Sequence, residues 1–553
     1  MSTFIRASAF LAALIVLAFG FTGTGESADR TWLVCLGVSG ALFTVSWWPS
    51  STRSLPLYNR TLLRWATIVL VGFALVSVQL VRIQIVESAR ISSRVEETAD
   101  GEFIANPRAR LASLEARRGR IFDTNGVVLA DTVLRDDGTY ERRYPVLATA
   151  PLIGYFSPSL FGSSNIEREF DDYLSGARGG NPIAEWLDGI LNAESAGYNL
   201  SLTIDARLQQ RAVDLLDGRP GAVILMDAST GAVTAMAGAP VFDPNRLYAN
   251  LGQQDAVELA AIHAYWQELI ADPNAPLVFR PTQGLYNPGS TFKTVTASAL
   301  LDQGIATTGT IFRDEGLLEV EGRIIEEPNR PDPSQVDFTL EQAYAWSLNV
   351  VFAQIGLQLR GDAIWDYASR FGFGDAVPFD IDTSESQIAG SRDALNSLTL
   401  LADTGYGQGQ ILSTPLQMAL VLSAVVNGGE IMQPFVVHQV IDEEGDVLTT
   451  FGNNRWRRVM SADTASAMRE LLIATVEYGY STGAAIDGVV VGGKTGTAEL
   501  DEGEPHSWFT GFAEDGDRRL VVTVIVERGG PGSQTALPIG RAMLEAAMQD
   551  ERE

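Results

Sequence analysis

Two lysines occur among the 553 residues of this chain, and each lies in a short pattern suited to acyl transfer. Lys293 ends the stretch PGSTFK at residues 288–293, three positions after Ser290, and Lys494 begins the stretch KTGT at residues 494–497. The other positive charges are arginines, which stay protonated at any ordinary pH. A lysine amine loses its proton when burial or a neighbouring cation destabilises the ammonium. A drift from Lys to Arg explains the scarcity of lysine, but not the two positions that keep it.

Ser290 is the candidate nucleophile. Pro288 and Gly289 end the preceding segment, so we expect Ser290 in the first turn of a helix, where free N–H groups and the helix dipole favour negative charge on the hydroxyl oxygen. Lys293 then projects from the same face and can reach that oxygen. A desolvated lysine beside another cation can remove the serine proton. Alone, a Ser-x-x-Lys pattern is common by chance.

Two further patterns follow in order along the chain. Ser347 and Asn349 lie inside a helix predicted for residues 340–359, and the KTGT stretch follows an apolar strand and two glycines. Glycines at such a place let a substrate approach the strand closely. Each pattern alone is weak, but the three together, in this order, indicate one site.

The periodicity of apolar residues predicts an α+β fold, with an antiparallel sheet flanked by helices. Strands are expected at 221–227, 232–236, 489–491, 507–512 and 520–526, and helices at 255–270, 291–301, 340–359, 414–426, 462–476 and 541–548. We predict four regions: three transmembrane helices in 1–86, a stalk in 87–107, a first folded domain in 108–200 and a second, larger folded domain in 201–553. An Asn-Gly pair at 125–126 predicts a hairpin in the third region.

Three apolar stretches, near 7–21, 32–48 and 65–85, predict membrane spans, the first of them an uncleaved helix. The segment between the second and third spans carries Arg53, Arg60 and Arg64 and no acidic residue. Because positively charged loops stay in the cytoplasm, we expect a cytoplasmic N-terminus and a chain that lies outside the cell after about residue 86.

The composition excludes several classes of function. A net charge of −28 and a pI near 4.5 argue against nucleic-acid binding, which depends on clustered Lys and Arg. The single cysteine, Cys35, excludes an intrachain disulfide. One cysteine and three scattered histidines make a zinc site a poor expectation, and we predict neither a metal nor a cofactor.

The ordered Ser-x-x-Lys, Ser-x-Asn and Lys-Thr-Gly patterns resemble those of class B penicillin-binding proteins, the monofunctional peptidoglycan D,D-transpeptidases of the serine acyl-transferase superfamily, and are most similar to the actinobacterial group. The resemblance covers residues from about 108 to the C-terminus, and it implies an N-terminal pedestal or dimerisation-type domain in 108–200 and a penicillin-binding transpeptidase domain in 201–553. It extends to further stretches at residues 118–121, 154–157, 166–167, 202–205, 242–245, 286–289, 407–409 and 494–499. Members of this family usually have one membrane anchor, so three spans are a departure. Neither a glycosyltransferase domain before the catalytic region nor a repeat domain after it is evident.

The resemblance implies attack by the serine on the carbonyl between two D-alanines of a peptidoglycan stem peptide, loss of D-alanine, and transfer of the acyl group to an amine of a neighbouring strand. Ser290 would be the nucleophile, Lys293 its base, and Ser347 with Lys494 the relay to the leaving amine. Penicillins and other β-lactams would acylate the same serine.

The resemblance also assigns substrate contacts. Asn349 would bind the acyl side-chain amide, Thr495 the terminal carboxylate, and Gly496 would line the substrate strand. Backbone N–H groups of Ser290 and Thr497 would form the oxyanion hole.

The resemblance also implies two partners, the lipid bilayer and a polytopic membrane glycosyltransferase. It further implies a role in cell shape or division.

Three alternative functions remain open at this point. A β-lactamase shares the motifs but needs a second base to activate water. A β-lactam sensor needs a cytoplasmic effector domain, for which the short cytoplasmic segments leave no room. A noncatalytic scaffold would not need the intact serine and lysines.

Overall fold

The computed structural model describes residues 3–21, 26–48, 55–83, 95–97, 103–105, 117–135, 140–158, 160–177, 197–248, 256–328, 330–516 and 518–549. The chain divides into two compact units, Met1–Ala112 and Ser113–Glu553. Most of the predicted stalk lies outside the described residues. The predicted boundary at residue 200 falls inside the second unit.

The first unit contains three long helices and one short hairpin. They are α1 (Thr3–Phe21), α2 (Glu26–Trp47), α3 (Leu57–Val81), β1 (Val95–Glu97) and β2 (Phe103–Ala105). Helices α1 and α2 pack together, with the Ser39 hydroxyl donating to the Ala13 carbonyl at 3.1 Å. Among the described residues, α3 alone is long and apolar enough to cross a membrane, and the apolar stretch in α1 is shorter. Three spans therefore stay a prediction.

The second unit is α+β, as predicted. Its strands are β3 (Ile121–Phe122), β4 (Val128–Leu134), β5 (Tyr140–Arg143), β6 (Phe156–Ser157), β7 (Gly162–Ser163), β8 (Asn199–Leu202), β9 (Gly221–Asp227), β10 (Val233–Ala239), β11 (Ile311–Arg313), β12 (Leu317–Val320), β13 (Arg323–Glu326), β14 (Asp337–Thr339), β15 (Glu430–Met432), β16 (Val437–Ile441), β17 (Val447–Thr450), β18 (Arg455–Arg458), β19 (Val490–Ala498), β20 (His506–Asp515) and β21 (Arg518–Val526).

Helices lie between these strands along the chain. They are α4 (Ala150–Ile153), α5 (Asn165–Glu169), α6 (Asp171–Leu174), α7 (Ala206–Leu216), α8 (Ala256–Ala271), α9 (Arg280–Gln283), α10 (Lys293–Asp302), α11 (Leu340–Ala345), α12 (Asn349–Phe371), α13 (Leu398–Gly405), α14 (Pro415–Val426), α15 (Ala462–Glu477) and α16 (Ala536–Gln549).

A five-stranded antiparallel sheet, in the order β10-β9-β21-β20-β19, forms the centre of the catalytic region. Successive side chains of a strand point to opposite faces. In β9, Val223 and Leu225 therefore pack with α7 and α16, whereas Ile224 and Met226 face the larger core that contains α10, α12 and α14. Because helices cover both faces, the strand is a continuous apolar run without the alternation of a half-exposed strand.

A second sheet, in the order β17-β16-β8-β3-β4-β5, supports the N-terminal region. Strands β3 and β8 pair in parallel, and the other neighbours are antiparallel. Strands β16 and β17 come from residues 437–450, on the far side of the predicted boundary at 200. This sheet is thus built from three segments distant in sequence, residues 121–143, 199–202 and 437–450.

A buried ion network lies beside this sheet. The fully buried carboxylate of Glu167 accepts from Arg118 Nε at 2.6 Å, from Arg142 Nε at 2.7 Å and from the Tyr144 hydroxyl at 3.1 Å. Burial opposes ionisation of Glu167, but the two guanidinium groups hold the pKa of the carboxyl below its ordinary value. The network connects the chain before β3, the end of β5 and helix α5.

The predicted helices and strands are present, and their ends differ from the predicted ends by at most seven residues, except that one predicted helix is interrupted. The helix expected at 340–359 is two helices, α11 and α12, separated by residues 346–348. The prediction of a continuous helix here is wrong because Ser347 adopts φ 57°, a left-handed conformation that ends α11.

Candidate active site

Ser290 lies in a 3₁₀ turn, Gly289–Phe292, that leads directly into α10. Gly289 has φ 53°, and a methyl group there would lie 2.8 Å from the Thr497 carbonyl oxygen, so only glycine fits without a shift. The Asn287 side-chain oxygen accepts from the Gly289 N–H at 3.1 Å, and Trp508 Nε1 donates to the Asn287 carbonyl at 3.0 Å. These contacts hold the serine turn against the central sheet.

Lys293 is the first residue of α10 and is completely buried. Its Nζ donates to the Ser347 carbonyl at 2.7 Å, to Asn349 Oδ1 at 2.8 Å and to Ser347 Oγ at 3.2 Å. In the described part of the chain, no hydrogen bond joins this amine to the Ser290 hydroxyl. The Lys293 amine is therefore held by the Ser-x-Asn motif at residues 347–349.

Ser347 occupies the turn between α11 and α12. The Leu348 N–H donates to the Ala343 carbonyl at 2.8 Å, and the Ser347 N–H donates to the Tyr344 carbonyl at 3.1 Å. These two bonds form a Schellman motif, in which glycine is the usual residue at the left-handed position. Serine at this position keeps a hydroxyl where glycine would have none.

Lys494 lies on β19, the edge strand of the central sheet, and is buried. Its Nζ donates to Ser347 Oγ at 2.8 Å and to the Thr495 carbonyl at 3.1 Å. The Ser347 hydroxyl therefore contacts both lysine amines. Position 496 is also tight, since a methyl group there would lie 3.0 Å from both the Pro288 carbonyl oxygen and Thr291 Cγ2, and these neighbours would have to move slightly.

Burial lowers the pKa of Lys293 to about 7, and the carboxylate of Glu327 acts in the opposite direction. Burial, and then the neighbouring charge of Lys293, lower the pKa of Lys494 well below its ordinary value. Repulsion between two ammonium groups is mutual, so each amine disfavours protonation of the other. A hydroxyl between such a pair can accept a proton from one amine and donate its own to the other.

A cavity of about 580 Å³ opens in front of these groups. Its walls are formed by Ser290, Arg323, Ile324, Ile325, Glu326, Pro328, Ser347, Asn349, Tyr406, Gln408, Tyr480, Thr495, Thr497, Glu499, Pro531 and Ser533. The two lysines and Gly496 are not among the residues that line it. The structure therefore brings all eight predicted site residues into one region, with the lysines buried behind the hydroxyl groups.

The sequence analysis missed residues of the hairpin β12–β13. Arg323 forms an ion pair with Asp403 on α13 at 3.0 Å, and the Tyr406 hydroxyl donates to the same carboxylate at 2.6 Å. Glu327, directly after β13, is buried and accepts from the Val350 N–H at 2.9 Å. No short motif contains these residues, and their proximity to the site depends on tertiary packing.

The family model of the penicillin-binding protein transpeptidase domain matches residues 221–548, more than half of the chain. The chain belongs to the penicillin-binding protein transpeptidase family. A second model, the penicillin-binding protein A dimerisation domain, matches residues 118–200. The resemblance inferred from the three motifs is confirmed.

Relatives of this family cover most of the chain. The peptidoglycan D,D-transpeptidase PbpA of Mycolicibacterium smegmatis is 32% identical over 80% of this chain and 92% of its own length. The imipenem acyl-enzyme complex of penicillin-binding protein A from M. tuberculosis matches 79% of this chain and 99% of that one, with 30% identity and a TM-score of 0.72. A D,D-transpeptidase domain from Eggerthella lenta has 33% identity over 79% of this chain and 99% of that one, with a TM-score of 0.68.

The left-handed backbone at Ser347 yields a stability prediction. We expect Ser347→Gly to be more stable than Ser347→Ala by about 1 kcal/mol, because both lose the hydroxyl and only glycine relieves the backbone strain. Chemical denaturation of the two full-length variants measures the difference. The exposed loop residue Ser334 is the matched control, where alanine should be at least as stable as glycine. An alanine variant at 347 as stable as the glycine variant would contradict the strained backbone.

Proposed function

We propose that this chain is a serine-type D,D-transpeptidase that cross-links peptidoglycan stem peptides through an acyl-enzyme at Ser290. The observation that carries this proposal is the contact of Ser347 Oγ with both Lys293 and Lys494, directly behind the cavity onto which Ser290 opens. Membership of the family and the named activity of its relatives support the same conclusion.

Acylation begins at Ser290. Its oxygen attacks the carbonyl carbon between the two D-alanines while its proton passes to the neutral amine of Lys293, one short turn away. Because burial lowers the pKa of that amine to about 7, a substantial fraction is neutral at physiological pH. The negative charge that develops on the carbonyl oxygen is received by the backbone N–H groups of Ser290 and Thr497.

Collapse of the tetrahedral intermediate breaks the amide bond and expels D-alanine. The leaving nitrogen takes a proton from the Ser347 hydroxyl, which is restored from the lysine pair it contacts. An amine of a neighbouring strand then attacks the ester and gives up a proton to the neutral amine of Lys293, and Ser290 departs with that proton. The serine and both amines finish in their initial protonation states.

The cavity walls provide the substrate contacts. Asn349 holds the Lys293 amine through its side-chain oxygen, and its amide group faces the acyl side chain of the substrate. Thr495 binds the terminal carboxylate, and Gly496 and Thr497 belong to the edge strand along which the peptide lies. β-Lactams, which mimic the D-Ala-D-Ala end, enter the same cavity and acylate Ser290.

Labelling by a fluorescent penicillin tests the nucleophile. We expect stable labelling of the detergent-purified full-length chain and none of Ser290→Ala, with Ser334→Ala as the folded serine control. Stable label on Ser290→Ala would contradict the assignment. Rapid loss of the label from the wild type would indicate a β-lactamase, and no labelling of the wild type would indicate a noncatalytic scaffold.

The pH dependence of acylation tests the base. The lowered pKa means that Lys293 is protonated below about pH 7 and neutral above it. We therefore expect the acylation rate to fall about tenfold per pH unit below 7 and to level off above it. Stopped-flow acylation between pH 5 and 9 measures the profile. Lys293→Arg, which stays protonated, should not be acylated at any of these pH values, and a flat wild-type profile would remove Lys293 as the base.

We further infer that the chain acts at the cell membrane, with its N-terminus in the cytoplasm, its catalytic region outside, and a polytopic membrane glycosyltransferase as partner. The apolar helix α3 supports this orientation, together with Arg53 before it and Arg60 and Arg64 near its start. Protease added to intact spheroplasts should degrade the region after residue 112. A C-terminal region protected from the protease would contradict this topology.

A tagged full-length chain should copurify the glycosyltransferase partner from the same membranes. A chain recovered without it would contradict the proposed partner.

A further inference from the structure

Glu327 is a buried carboxylate that the mechanism above does not use. It directly follows β13 and is 8% exposed. Its Oε2 accepts from the backbone N–H of Val350 at 2.9 Å, and its own N–H donates to the Gly316 carbonyl at 3.0 Å. A carboxylate is costly to bury unless it is paired, so its position next to the site needs a reason.

The contact with Val350 lies at the N-terminus of α12. The first N–H groups of a helix have no partner within the helix, and a side chain at the N-cap position usually provides one. Leu348 at this N-cap cannot do so, and no side-chain cap is formed there. Glu327, from another segment of the chain, supplies the acceptor instead. It thereby holds the end of the turn that carries Ser347 and Asn349.

The hairpin that carries Glu327 is itself held at its other side. Arg323, at the start of β13, pairs with Asp403 on α13, and the Tyr406 hydroxyl contacts the same carboxylate. The four-residue strands β12 and β13 pair along their whole length. These contacts therefore fix the position of Glu327, and the same hairpin forms part of the cavity wall.

The charged and titratable groups around Lys293 are few. Lys494 comes from β19, Glu327 follows β13, Tyr344 comes from α11, and Tyr480 lies on the cavity wall. Among these groups Glu327 is the acid. Burial lowers the pKa of Lys293, and the charge of Glu327 opposes that effect. Burial, and then the same charge, raise the pKa of Tyr480.

We propose that Glu327 is a positioning residue of the active site: its carboxylate caps α12 next to Asn349, which binds the Lys293 amine, and its negative charge offsets the positive charge of buried Lys293. This inference rests on the proposed function, because the lysine pair matters to acylation only if Lys293 is the base. The charge of Glu327 favours the protonated form of Lys293, from which Ser347 can pass a proton to the leaving amine. It does so without contacting the substrate.

Glu327→Gln separates the two roles. The glutamine oxygen still accepts from the Val350 N–H, whereas the negative charge is lost. We expect the pH profile of penicillin acylation to keep its shape and its half-maximal point to move downward by roughly one unit, because an ammonium without its counterion loses its proton at lower pH. The melting temperature should remain close to that of the wild type.

Glu327→Ala removes the cap as well as the charge. We expect the same downward shift of the profile and, in addition, a plateau rate about tenfold lower, since the Val350 N–H is left buried without an acceptor. Glu319→Gln is the matched control: it removes the same charge from an exposed position on the same hairpin and should leave the profile unchanged.

A Glu327→Gln profile that coincides with the wild type, or an equal shift in Glu319→Gln, would overturn the proposal. So would loss of folding in both Glu327 variants, which would assign the residue a structural role alone. The proposed function fails separately: in that case the wild type is not labelled, or its acylation does not rise near pH 7. If the acylation rate of the wild type rises near pH 7 and the Glu327 variants show the same pH profile, the inference about Glu327 is wrong while the proposed function stands.

Discussion

The active site depends on one hydroxyl group held between two buried amines. Ser347 Oγ lies 3.2 Å from Lys293 Nζ and 2.8 Å from Lys494 Nζ, and neither amine is open to solvent. Two unit charges 4 Å apart repel by roughly 4 kcal/mol at an effective dielectric constant of 20. Burial adds a desolvation cost for each charge, so the pair holds its protons weakly. This is the property that a site for proton transfer to and from a serine requires.

Each of the three groups comes from a different kind of element. Lys293 begins a helix, Ser347 ends one in a left-handed conformation, and Lys494 lies on the edge strand of the central sheet. The serine turn packs closely against β19: a Cβ atom at position 289 would clash with the Thr497 carbonyl, and one at position 496 would be in tight contact with the Pro288 carbonyl. Backbone contacts between these segments therefore fix the geometry of the site, and this geometry determines where the reactive side chains lie.

Much of this site could be predicted from the sequence because its groups belong to short patterns with a chemical reason for their spacing. Ser290 and Lys293 are one turn apart, and the apolar run before Lys494 is a recognisable buried strand. The α+β architecture also follows from the periodicity, since helices and strands of sufficient length have clear patterns. The conformation of Ser347 was not predictable in this way, because residues 340–359 have good helical composition and the break uses serine where glycine is the usual signal.

Glu327 and Arg323 were missed for a different reason. Their relation to the site is purely tertiary: one reaches the start of α12 and the other reaches α13, and neither spacing has a local physical meaning. The same holds for the pairing of β16 with β8, which joins residues more than two hundred positions apart. Local patterns identify reactive groups well, but they contain little information about what surrounds those groups.

The mixed origin of the six-stranded sheet has a consequence for how this architecture can be inherited. Strand β16 pairs with β8 at residues 199–202, although it follows most of the catalytic sequence. The N-terminal and catalytic regions are therefore not independent modules that follow one another along the chain. A recombination event that exchanged only the first two hundred residues with a homologue would oppose foreign strands to β16, so compatible evolution requires these distant segments to change together.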